Sequence, residues 1–137
     1  MNDQNMYENY VYLMQDVMGA DKVPAAVTAD NWEELLKTPL DHLSETMDPK
    51  YTKALRLRYG LDTGESISYA KIAEKIECSP STARRRVNDA LRRLRHPSRN
   101  KYIRMLYHDA TVDELCKEAK EVRKMYNRHV KDRAQGV

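Results

Sequence analysis

Arginine residues are concentrated in one short stretch of the chain. Residues 84–104 contain eight Arg, one Lys and a single acid, Asp89, whereas residues 1–50 contain ten acids and three bases. The net charge of +3 therefore conceals a strong asymmetry. The planar guanidinium group suits phosphate and the edge of guanine, which it binds through two parallel hydrogen bonds. Such a block favours a polyanion such as nucleic acid, although a basic run can also be a solvated surface.

An apolar stripe runs through the same segment at helical spacing. It consists of Ala83, Val87, Ala90, Leu91 and Leu94. At 100° per residue the opposite face carries Ser81, Arg85, Asn88, Asp89 and Arg92. Ser79 followed by Pro80 is typical of a helix N-terminus. The pattern predicts a helix over 80–95 that buries one face and exposes a polar, basic one.

A shorter helix is predicted just before it, over roughly 68–77. Ile72, Ala73 and Ile76 give this helix an apolar face, and Cys78 lies in the turn that follows. A short helix, a tight turn and a basic helix with an apolar back together form the pattern of a helix-turn-helix. An ordinary helical hairpin with a charged exterior is the alternative.

Helical patterns also occupy the N-terminal half of the chain. An apolar repeat over 7–18 predicts a first helix that ends at Gly19. Asp30 can cap a short helix, and Thr38 and Asp48 each precede a Pro at a probable first helical position. The helix that begins after Asp48 is expected to stop near residue 60.

The C-terminal part follows the same pattern. His96-Pro97 interrupts the chain and Ser98 can cap the next helix, while Thr111 with Glu114 forms a capping box for a last helix to about residue 132. No alternating strand pattern appears. We therefore expect an all-α fold: a helix-turn-helix domain at 29–108, an acidic N-terminal helix and linker at 1–28, and a C-terminal helix at 109–137.

Two motifs that frame the helix-turn-helix resemble region 4 of bacterial primary sigma factors. They are ALRLRYGLDTG at 54–64 and ALRRLRHPSR at 90–99. The match runs without gaps through the helix-turn-helix between them, and the resemblance spans about 40–105. It implies a four-helix unit whose recognition helix binds the −35 promoter element and whose upstream helices hold the flap of the RNA polymerase β subunit. Where the family usually has Arg-Glu-Arg, this chain has Pro80-Ser81-Thr82, so we do not expect the usual −35 sequence to be its target.

The resemblance and the helix phase together suggest DNA contacts. Carried over by position, Ser81, Thr82, Arg84 and Arg85 would face base edges, and the helix phase adds Asn88. The phosphate contacts would come from Arg56, Arg58, Arg92, Arg93, Arg95 and, from the basic block beyond the helix break, Arg99. We expect double-stranded DNA as the partner and no metal or cofactor. No Gly-rich phosphate loop or clustered Ser/His/Asp set indicates an enzyme.

These features predict a sequence-specific transcription regulator of sigma region 4 type, of the kind found in phages and mobile elements. The alternative is a detached region 4, such as half of a split sigma factor, that acts mainly by binding the polymerase β flap. Nothing in the sequence resembles the sigma region that melts the −10 element, so the protein is not expected to open a promoter alone.

The two ends of the chain leave alternatives open. A seam of apolar residues in the last helix favours either a homodimer through 112–130 or packing on the chain's own body. Residues 1–28 can be a docking arm for a partner or part of the core. We expect a cytoplasmic protein, because no membrane span or signal pattern is present and Cys78 and Cys116 match no disulfide framework.

Overall fold

The computed structural model describes the backbone of residues 3–136 and the side chains of residues 5–133. In this part of the chain there are seven α-helices and one π-helical turn, Glu33–Lys37, and no strand. The helices are α1 (Asp3–Met18), α2 (Thr38–Ser44), α3 (Pro49–Tyr59), α4 (Tyr69–Ile76), α5 (Pro80–Arg95), α6 (Pro97–Leu106) and α7 (Val112–Gly136). The all-α fold class is confirmed. None of these helices is both long and apolar enough to cross a lipid bilayer.

Capping residues set the ends of the central helices as the sequence predicts. The Asp48 carboxylate accepts a hydrogen bond from the Lys50 amide at 3.0 Å at the start of α3, and Ser79 Oγ accepts one from the Thr82 amide at 3.1 Å at the start of α5. Helix α3 ends at Gly60, whose φ of +64° lies in the left-handed region. A Cβ there would also lie 2.4 Å from the Glu65 carbonyl carbon, so only glycine fits.

Three other helix starts differ from the expectation. His96, and not Ser98, caps α6, because its Nδ1 accepts a hydrogen bond from the Ser98 amide at 3.1 Å. The π turn runs into α2 without a break at Thr38, whose amide donates to the Glu33 carbonyl. Pro39 has no N–H and therefore cannot donate the usual helical hydrogen bond, and the wider π turn lies directly before it. Asp30 does not cap this helix, since the turn before it is closed by Thr28 and Asn31.

Helix α5 lies at the centre of the molecule, in contact with α1, α2, α3, α4 and α6. All five residues of its predicted apolar stripe are buried. They join one continuous core that extends from Tyr10 in α1 to Val122 in α7. The three segments expected from the sequence therefore share a single hydrophobic interior.

Helix α1 packs on this body. Tyr10, Leu13 and Met14 are completely buried. The C-terminal end of α1 is held by Arg95, whose guanidinium donates to the carbonyls of Val17 at 2.9 Å and Asp16 at 2.8 Å. The structure thus agrees with the core interpretation of the N-terminal helix and not with a free docking arm.

Helix α7 uses its apolar seam within the chain. Leu115 is completely buried and Val122 nearly so, and the ring of Tyr126 stacks on His42 with centroids 4.5 Å apart. Near the end of the helix, Arg133 donates to the carbonyl of Met47 at 2.7 Å. These side chains are covered by the chain's own body, which favours packing within the chain, and the homodimer through 112–130 stays a prediction.

Candidate nucleic-acid interface

The face of α5 opposite its buried stripe is exposed to solvent. Its exposed polar residues are Ser81, Arg85, Asn88 and Arg92, while the exposed Arg84 and Arg95 lie on one flank of the helix. Two of these side chains, those of Arg85 and Asn88, form no hydrogen bond or ion pair with residues 5–133. Their donors and acceptors are therefore available to an external partner.

The N-terminal turn of α5 is polar and ordered by its cap. Ser79 Oγ donates to Thr82 Oγ1 at 3.0 Å and lies 3.1 Å from Ser81 Oγ. Thr82 is consequently half-buried, whereas Ser81 is exposed. The structure brings Ser81, Arg85 and Asn88 onto one face of the helix, with Thr82 turned partly toward the cap.

Arg84 of α5 and Arg58 of α3 both stack on the ring of Tyr69, a residue outside the predicted site. The Arg84 guanidinium carbon lies 5.0 Å from the ring centroid of Tyr69, and that of Arg58 in α3 lies 4.2 Å from the same ring. Arg58 also donates to the Ile67 carbonyl at 3.1 Å. Arg84, assigned to base edges on the resemblance, thus lies beside Arg58 over an aromatic ring.

A similar arrangement occurs toward the other end of α5. The Arg93 guanidinium carbon lies 4.0 Å from the ring centroid of Tyr51, and Lys50 Nζ lies 5.1 Å from it. Arg93 also donates to the Tyr51 hydroxyl at 3.3 Å. Arg92, by contrast, is exposed and forms an ion pair with Asp89 at 3.2 Å.

Arg56 lies in a different environment from the other predicted phosphate contacts. Its side chain is only 13% exposed and pairs with Asp41 at 2.9 Å and with Asp62 at 2.7 Å. Burial alone would lower the pKa of Arg56, but the hydrogen bonds to Asp62 and the charge of Asp41 outweigh burial and raise it. Asp41 also accepts a hydrogen bond from Tyr10 of α1. Arg56 therefore links three helices within the chain, which favours a structural role over its predicted phosphate contact.

Arg95 and Arg99 are also engaged within the chain. Arg95 binds the end of α1 as described above, and Arg99 donates to the hydroxyl of Thr46 at 2.8 Å and to its carbonyl at 3.1 Å. Burial lowers the pKa of Arg99, and the nearby charge of Arg93 lowers it further. Both side chains hold distant segments together, although Arg95 is also exposed to solvent on a flank of α5.

Helix α4, the turn after it and α5 form a helix-turn-helix, the class of domain that presents a helix to a DNA groove. Its first helix is capped by Ser68, which accepts from the Lys71 amide at 3.2 Å, and the turn passes through Glu77 with a φ of +55°. Residues 45–96 match the family model described as Sigma-70, region 4. This match confirms the resemblance drawn from the two motifs that frame the helix-turn-helix.

Curated relatives carry the same region within much longer proteins. The chain is 34% identical over 89 residues to RNA polymerase sigma factor SigA of Clostridium acetobutylicum, a match that covers 65% of this chain and 23% of that protein. It is 35% identical over 72 residues to the SigA proteins of Microcystis aeruginosa and Synechocystis sp., covering 53% of this chain and 17% of each. The chain thus spans less than a quarter of the length of these relatives. No solved structure matches it significantly.

Proposed function

We propose that this protein is a sequence-specific, DNA-binding transcription regulator that inserts α5 into the major groove. The observation that carries the proposal is the exposed face of α5, where Ser81, Arg85 and Asn88 project from a helix whose opposite face is locked into the core. A rigid helix with free guanidinium and amide groups is suited to hydrogen bonding with base edges.

Phosphate contacts supply most of the affinity in this proposal. Arg58, Arg84, Arg92 and Arg93 remain at the surface beside the base-reading face, with Lys50 close by. About four to six such contacts give a log–log slope of duplex affinity against salt of about −3.5 to −5.5. A measured slope shallower than about −2 would refute the proposal.

Base readout is tested by comparing two exposed arginines of the same helix. Arg85→Ala should weaken binding to the preferred duplex by about 1–3 kcal/mol and relax the sequence preference, because Arg85 faces the groove without a partner in the chain. Arg92→Ala, a control toward the C-terminal end of the same face, should weaken all sequences alike. Selection from a random duplex library measures both effects, and unchanged relative preferences for Arg85→Ala would overturn the assignment.

A second candidate function is favoured by the relatives, which are RNA polymerase sigma factors. In this alternative the chain is a detached region 4 that acts mainly by binding the polymerase β flap, as the resemblance implies. A pull-down with core polymerase distinguishes the two. Retention of the chain by core enzyme, combined with no sequence preference in the library selection, would favour the polymerase-bound function over the regulator of phage or mobile-element type.

A further inference from the structure

We infer that Tyr51 and Tyr69 are positioning residues for the DNA backbone, each holding two cations for a phosphate on one of the two strands that border the major groove. The inference rests on the proposed insertion of α5 into that groove. It assigns a role to two tyrosines that neither the basic block nor the helix-turn-helix pattern selects.

The first element of the inference is that the core holds each tyrosine ring in place, while the arginines over the rings hydrogen-bond only to uncharged oxygens in the described part of the chain. Both tyrosines are half-buried and pack against the hydrophobic core. Within residues 5–133, no carboxylate lies within ion-pair distance of Arg58, Arg84 or Arg93. The positive charge over each ring is therefore not neutralised inside the chain, and an external anion is the natural partner.

The second element is the similar composition of the two clusters. Each contains one arginine of α5 and one basic residue of α3, with the aromatic ring in the first turn of another helix or of α3 itself. Stacking restricts the rotamers of a long side chain before it meets a ligand. The ordering cost of binding is lower when the guanidinium is held in advance.

The third element is the position of the clusters on the recognition helix. Arg84 and Arg93 are nine residues apart in α5, which corresponds to about 13–14 Å along the axis and half a turn around it. They consequently project from opposite flanks of the helix. A helix lying in a major groove about 12 Å wide faces one phosphate backbone on each flank. One cluster is thus placed to meet each strand.

The inference is tested with Tyr69→Leu and Tyr51→Leu, which keep an apolar side chain against the core but remove the stacking surface. Because phosphate contacts are independent of sequence, a fluorescent duplex of mixed sequence is the probe. Each variant should lower affinity about threefold to tenfold and make the log–log salt slope shallower by about 1. Tyr69→Phe, which restores the ring, should recover both values. Tyr126→Leu is the matched control, since this half-buried tyrosine stacks on His42 and no arginine of residues 5–133 lies over its ring.

Leu variants that fold and bind with the wild-type affinity and slope would overturn the inference, while a wild-type slope shallower than about −2 would instead refute the proposed function. If either Leu variant fails to fold, Arg84→Gln and Arg93→Gln remove the stacked cation without touching the packed ring. Each should make the log–log salt slope shallower by about 1. A full wild-type slope in these two variants would also refute the inference.

Discussion

Replacing Leu13 by Ala tests whether α1 is part of the folded body, because this helix lies outside the matched segment 45–96. Leu13 is completely buried. Its truncation loses the transfer free energy of the removed methyl groups and leaves a cavity, which together cost about 2–5 kcal/mol. Since the free energy of unfolding of a small domain is about 5–15 kcal/mol, this loss is a large share of the total stability.

The change is measured by thermal unfolding followed by circular dichroism. For a chain of 137 residues, each kcal/mol lowers the midpoint by about 3–5 °C, so Leu13→Ala should lower it by about 6–25 °C. Tyr12→Ala is the control, because Tyr12 is the neighbour of Leu13 in the same helix and is 56% exposed. The control should stay within about 0.5 kcal/mol of the wild type.

The reasoning is refuted if Leu13→Ala and Tyr12→Ala both melt at the wild-type midpoint. That result would mean that α1 does not pack on α5, and the docking-arm interpretation of 1–28 would return. A cooperative unfolding transition is required for the comparison, and a single hydrophobic core that runs from α1 to α7 predicts one.

Arg56→Gln should lower the free energy of unfolding by about 1–3 kcal/mol, because it removes the guanidinium from Asp41 and Asp62 and leaves Asp41 with Lys37 as its one cation among the described residues. The DNA salt slope should stay unchanged, and a shallower slope would support the predicted phosphate contact of Arg56. The imidazole of His42 gives a pH prediction: burial lowers its pKa from 6.5, and the charge of Arg123 lowers it further, against an opposing effect of Asp41. The unfolded chain therefore binds more protons around pH 6.5, so stability is full above about pH 7 and falls as the pH drops through that value. Denaturant unfolding at several pH values should show this decline in the wild type and a smaller one in His42→Asn, and equal declines would exclude His42 as the cause.

The recognition helix could be predicted from the sequence because its determinants are local. The cap at Ser79, the Pro at position 80 and the five-residue stripe all lie within the segment they define. The observed bounds, Pro80–Arg95, agree with the prediction. The same local logic gave the capping box at the start of α7, where Thr111 Oγ1 accepts from the Glu114 amide at 3.1 Å.

The roles of individual arginines could not be predicted, because their partners are distant in sequence. Arg95 binds a carbonyl 78 positions away and Arg99 a threonine 53 positions away. Helix phase places Arg95 on a flank of α5 but carries no information about the end of α1 that packs there. A partial signal existed for the tyrosine clusters, since Tyr51 and Tyr69 each fall in the first turn of a predicted helix next to the basic one. Their stacking with Arg93 and Arg84 depends on how the helices cross.

Within residues 5–133, the acidic and basic segments of the chain meet in the fold without forming ion pairs with each other, which composition alone does not reveal. No ion pair in the described part of the chain joins an acid of residues 1–50 to a base of residues 84–104. Where the two segments meet, Arg95 and Arg99 donate to carbonyls and a hydroxyl, which bind the guanidinium without neutralising it. Arg95 lies at the C-terminal end of α1, where the helix dipole favours a cation. These two side chains thus stabilise the fold and still contribute to the positive field that attracts a polyanion over a Debye length of about 8–10 Å.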